Sequence, residues 1–79
     1  MAHTIQFYRD HTTVTKISQG AYKIIIDYRS KEYTCYSNNS EAYDRIDDDN
    51  YPDNYVIGRY SNKQAWAALY NECKQKNNL

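Results

Sequence analysis

The sequence predicts an α+β fold: a small antiparallel β-meander of three to four strands, with a short helix and a longer C-terminal helix packed on one face. Three observations carry that prediction. Residues 21–28 alternate strictly, with Tyr22, Ile24, Ile26 and Tyr28 on one side and Lys23, Ile25 and Asp27 on the other, the period of a half-buried strand. A run rich in β-branched residues, 13–18, precedes it across Gln19-Gly20, where glycine is free to take the positive φ of a tight turn. Ser61 followed by Gln64 is a capping box, and Ala65, Trp66, Leu69, Tyr70 and Cys73 then recur at helical spacing. Strands first and helices after them define the class.

The remaining elements follow in chain order. Thr4-Ile5-Gln6-Phe7-Tyr8 alternates and reads as a first strand, ended by the polar Arg9-Asp10-His11-Thr12. After the central strand, Tyr33-Thr34-Cys35-Tyr36 reads as its hairpin partner. For Tyr33 and Cys35 to share a face with Ile24 and Ile26, the connection must hold an even number of residues. Arg-Ser is a poor two-residue turn, so a four-residue loop, Arg29-Ser30-Lys31-Glu32, is expected. Asn38 and Glu41 have the spacing of a capping box for a short helix through Asp47, with Ala42, Tyr43 and Ile46 inward. A loop with Pro52 follows, then a brief extended Tyr55-Val56-Ile57 stopped by Gly58. Lys74 and Lys76 suit the dipole at the end of the last helix, and Asn77-Asn78-Leu79 is expected to fray.

The chain is read as one domain, residues 1–79, near the lower size limit for a core without disulfides or metal. Only seven Ile, two Val and two Leu are available, and mean hydropathy is −1.02. Tyrosine has to fill the gap: ten of the twelve aromatic residues are Tyr. Each buries a large ring at low entropy cost and keeps a hydroxyl that needs a partner, so the tyrosines are expected to be shared between interior and contact surface. Homodimerisation would be one remedy for so modest a core.

Ten Lys and Arg balance ten Asp and Glu, so no global bias draws the chain to nucleic acid or membrane. No apolar run has the length of a membrane span or signal core, and the expected location is the cytoplasm. There Cys35 and Cys73 are expected as reduced thiols close together in the core. His3 lies near the terminus, where little is expected to hold it, and His11 stands in a polar turn. No Cys–His pair or Ser–His–Asp set is arranged for catalysis, and no glycine loop is placed to cradle phosphate, so neither a catalytic residue nor a cofactor is expected. The acidic stretch fails as a calcium loop. With Asp47 at position one, Pro52 occupies the glycine position and Gly58 the glutamate position, and no metal is assigned.

What remains is contact chemistry. Tyr43, Asp47, Asp48, Asp49, Tyr51, Asp53 and Tyr55 mix carboxylates with phenol rings and form the expected partner-binding surface, suited to the basic groove of a larger nucleic-acid enzyme. The leading expectation is a non-catalytic protein-binding inhibitor acting by surface occlusion. Its size, and an Asn-, Ile-, Lys- and Tyr-rich composition that reflects A/T-rich codons, suit a phage or mobile-element product of the anti-CRISPR type. The alternative is a single-stranded nucleic-acid-binding module on the open sheet face, using Lys16, Lys23, Arg29, Lys31 and Tyr36. With a plain two-residue turn at Gln19-Gly20, Lys16 would lie opposite Lys23, a repulsion that calls for either another register or an anion. A third expectation is a subunit that self-associates through that face or an edge strand.

Overall fold

In a computed structural model of the chain, residues 3–48 and 50–79 are described. Three helices and three strands follow in the order α1 (Ile5–His11), β1 (Thr12–Ser18), β2 (Ala21–Tyr28), β3 (Lys31–Ser37), α2 (Ser40–Asp47) and α3 (Asn62–Lys76). The strands make one antiparallel sheet in the order β1-β2-β3. All helices pack on one side of it, giving a two-layer slab of 32 × 32 × 17 Å.

The segment expected as a first strand is α1. Five residues of alternation do not separate a strand from a helix turn, and local bonding decides it. Thr4 caps the helix by accepting from the Phe7 N–H at 3.1 Å, Gln6 donates to Asp10 one turn on, and Phe7 stacks on His11 with centroids 4.2 Å apart. Tyr8 anchors the short helix in the core, edge-on to Tyr70 at 5.4 Å.

β2 has the bounds and faces its alternation predicts: Tyr22, Ile24 and Ile26 are buried, and Asp27 is exposed. On one side, β1 carries a bulge between Lys16 and Ser18, leaving Ile17 as the extra residue. The bulge changes the register from the one expected. Lys16 lies opposite Tyr22, and Thr15 opposite Lys23, so the two lysines are not opposed.

On the other side, β2 and β3 are joined by only Arg29-Ser30, not by four residues. Both turn residues take positive φ, 50° and 66°, as a type I′ turn requires; neither is the Asn or Gly that adopts it at least cost. The even count puts Cys35 opposite Ile24 and Tyr33 opposite Ile26, as face parity demands.

α2 is capped one residue later than expected. Asn39, not Asn38, accepts from the Ala42 N–H, which releases Glu41 from any capping box. In α3 the Ser61/Gln64 box is complete in both directions. Its end does not fray. Asn78 takes φ 60°, the Asn78 N–H donates to Gln75 and the Leu79 N–H to Lys74, a Schellman closure. The side chains of Lys76 and Asn77 reach over to β3 and donate to the carbonyls of Tyr36 (2.6 Å) and Thr34 (3.2 Å).

Ile24, Ile26, Ala42, Ala65, Leu69 and Cys73 are fully buried at the centre of the core. The larger aliphatic side chains each contribute roughly 2 kcal/mol by leaving water. Tyrosines complete the interior: Tyr8, Tyr22 and Tyr70 are buried, and Tyr28, Tyr33, Tyr43 and Tyr60 are half-buried around them. Tyr36, Tyr51 and Tyr55 remain exposed. Cys35 and Cys73 are both buried free thiols. Cys73 donates toward the carbonyls of Tyr33 and Ile24.

Candidate docking surface

Six of the ten acidic residues lie between positions 41 and 53, and Arg45 is the one basic residue among them. The zero net charge therefore conceals a strongly acidic pole. Arg45 is also the residue that shapes this pole, and it is 2% exposed. From the inner side of α2 its guanidinium donates to three loop carbonyls: Asp48 at 3.1 Å, Pro52 at 3.0 Å and Tyr55 at 3.3 and 3.0 Å. Among the described residues no carboxylate lies within ion-pair distance of it. Among the described residues the partners of this buried cation are all backbone carbonyls, and the loop is wrapped around it.

A charged residue on a short polar helix reads in sequence as solvated, so Arg45 was not among the expected site residues. The available signal was a lone cation among carboxylates, ahead of a proline-containing loop.

The loop presents the tyrosines outward. Tyr51 and Tyr55 stack nearly parallel, 9° apart with centroids at 5.0 Å, and both are about half exposed. Val56 and Ile57 continue the exposed apolar surface, and Ile57 pairs with Tyr60 in an isolated bridge around Gly58 (φ 65°), the only remnant of the expected strand.

The expected surface residues divide by role. Asp47 is exposed, and its side chain makes no hydrogen bond among the described residues. Asp48 is part of the frame: its carboxylate accepts from the Asn50 backbone and side chain. Asp53 ties the loop to the domain, accepting from Arg9 at 3.3 Å and from the Asn62 side chain at 3.4 Å, while its carbonyl takes the Asn62 N–H. Tyr43 is not part of the stacked pair: it is half-buried and lies on the Tyr22 ring, centroids 4.3 Å apart. Asp49 lies outside the described residues.

Beside the loop runs an open groove of about 240 Å³, lined by Glu41, Asp44, Arg45, Asp48, Ile57 and Gly58. Glu41, freed from capping, accepts from the Arg59 N–H at 3.0 Å and pairs with the Arg59 guanidinium at 3.3 Å. Asp44 is exposed at the rim. The combination of an apolar wall at Ile57 with carboxylates around it matches a long cationic side chain, whose stem wants apolar contact and whose head wants charge.

The residues of the alternative nucleic-acid surface are dispersed. Lys23 and Tyr36 are cross-strand neighbours on the open sheet face. Lys16, opposite Tyr22, belongs to the other face, and Arg29 and Lys31 lie at the far hairpin. Among the described residues there is no cluster of three potential metal ligands and no helix long and apolar enough to cross a membrane. No protein-family model matches the chain, and no curated protein and no solved structure is significantly similar to it.

Proposed function

We propose that the protein is a non-catalytic docking module that occupies a basic surface of a larger protein through its acidic, tyrosine-rich loop. The observation that carries this reading is the stacked Tyr51–Tyr55 pair, held out to solvent by a loop that Arg45 fixes from within. Exposed aromatic rings on a pre-ordered backbone lose little entropy on binding, which is what makes tyrosine an effective anchor. The adjacent groove adds specificity for lysine or arginine, and the acidic pole would accelerate encounter with a basic partner. A positively charged nucleic-acid channel is the kind of surface such a loop fits, and occlusion of one is the inhibitory action we assign to it. On this reading the protein is of the anti-CRISPR type, carried by a phage or mobile element and acting in the host cytoplasm.

Paired capture from host lysate with wild type and a Tyr51→Ala/Asp47→Ser variant tests this. A basic protein recovered by the wild type and lost by an equally folded variant supports the reading. Equal recovery by both overturns it. A fluorescent single-stranded oligonucleotide added at low salt tests the open-face alternative: a shift abolished by Lys23→Ala would replace docking with nucleic-acid binding.

A further inference from the structure

A second cleft, of about 340 Å³, opens where α1, the β2–β3 turn and the C-terminal half of α3 meet. One wall is a ladder of rings at i, i+4, i+8: His3 on Phe7 at 3.8 Å and 13°, then Phe7 on His11 at 4.2 Å and 22°. His3, expected from its position to be loosely held, is thus stacked in place. The other wall is Tyr28 and Tyr70. Two cations rest on it. Lys74 Nζ lies 4.8 Å from the Tyr28 centroid and 5.9 Å from that of Tyr70, and Arg29 Cζ lies 5.2 Å from Tyr28. All the cation–π contacts among the described residues are gathered here.

Neither cation has a carboxylate partner within 4 Å among those residues, where the ion pairs are Arg9–Asp53, Arg59–Glu41 and Lys76–Glu72. His11 donates from Nδ1 to the Phe7 carbonyl at 2.8 Å, and its Nε2 has no hydrogen-bond partner among the described residues. Arg29 is aimed by a left-handed turn conformation that costs energy for a residue with a β-carbon.

We propose that this cleft binds a nucleoside 5′-monophosphate, with the phosphate between Arg29 and Lys74 and the base extending the His3–Phe7–His11 ladder. Each part of the ligand meets a part of the cleft. The cations are ordered on Tyr28 but lack an anion, and phosphate oxygens supply it through charge-assisted hydrogen bonds. A planar base continues an existing ring stack. Asp27, the one carboxylate residue in the lining, supplies an acceptor for sugar hydroxyls and disfavours a bare anion. This site shares no residue with the docking loop. The same chemistry is offered by a free mononucleotide and by the 5′-phosphorylated end of a strand.

NMR titration of the intact chain with AMP, adenosine, inorganic phosphate and a 5′-phosphorylated tetranucleotide tests the proposal. Saturable shifts at Tyr28, His11 and Lys74 are expected with AMP or the tetranucleotide. Adenosine and phosphate alone should bind at least about tenfold more weakly, since each satisfies only half of the cleft. The tighter of AMP and tetranucleotide identifies the source. Arg29→Asn, which suits the turn, and Lys74→Gln should each weaken binding at least about tenfold. Raising salt should weaken wild-type binding as well, a readout independent of whether the variants fold. Absence of saturable shifts with both phosphorylated probes overturns the proposal, as does binding unchanged by Lys74→Gln or by salt.

Discussion

Arg45 reaches the Tyr55 carbonyl with two donors at once, Nε at 3.3 Å and Nη2 at 3.0 Å, across ten residues of chain. A helix side chain thereby sets the position of the residue that stacks on Tyr51. This buried guanidinium holds the loop from within, while Asp53 ties it to Arg9 and Asn62 from the other side.

Replacing Arg45 by Met should destabilise the domain by about 3 kcal/mol, because the Asp48 and Tyr55 carbonyls lose their donor and the Pro52 carbonyl keeps only the Tyr55 N–H. Arg45→Lys should recover only part of that, since an ammonium cannot match the planar fork that spans all three. Urea denaturation measures the loss. Faster amide exchange confined to residues 50–58 would show that the loop, rather than the sheet, is what loosens.

The two acidic positions 47 and 53 should respond differently. Asp47→Ser is expected to leave stability within about 0.5 kcal/mol, as for other exposed positions without partners. Asp53→Ala removes acceptors for Arg9 and Asn62 and should cost about 1 kcal/mol. Thermal melts of the two variants separate a contact residue from a framing one. Equal effects would contradict the division of roles.

Ser30→Gly should stabilise the protein by roughly 0.5–1 kcal/mol, since it removes a β-carbon from a backbone held at φ 66°. Gly20→Ala should do the reverse: φ there is 77°, and an added β-carbon meets nothing within 4 Å, so the penalty is backbone strain alone. At Gly58 the strain is joined by overlap with the Glu41 carboxylate, which should break the Glu41–Arg59 pair too. Chemical denaturation of the three variants gives the order directly.

Burial, then the hydrogen bond to Cys73, pushes the Cys35 thiol up to about 12, and burial raises Cys73 as well. A thiol that ionises later in the folded chain than in the unfolded one favours folding only while it stays protonated. Its contribution is complete below pH about 9 and is lost as pH climbs toward 12. Denaturation midpoints should therefore decline above pH 9, less steeply in Cys35→Ala. At neutral pH both thiols should resist alkylation until the chain unfolds.

How much of this was legible depended on whether the deciding interactions were local. β2 and α3 could be read because strict alternation and a reciprocal capping box are properties of the adjacent residues. The Thr4–Tyr8 run fits both periods; the Thr4 cap and the Gln6–Asp10 and Phe7–His11 contacts select the helix, and Tyr8 against Tyr70, sixty-two positions away, fixes where it packs. Parity fixed the faces of β2 and β3 but not the length of their turn, since two and four residues satisfy it equally. The bulge at Ile17 left no mark in composition, and it undid the expected opposition of Lys16 and Lys23. In the docking surface, Tyr51 and Tyr55 stood out as residues, while the agent that orders them did not. A buried arginine that donates to loop carbonyls has the same sequence signature as an ordinary solvated one.

The side chains of Lys76 and Asn77 plug carbonyls along the free side of β3, and among the described residues β1 has no comparable cover. A sheet sealed at one margin accepts a new strand only at the other. Two copies joined margin to margin through β1 would leave a sealed strand at each end, so growth through the backbone stops at a pair and cannot run on into a fibre.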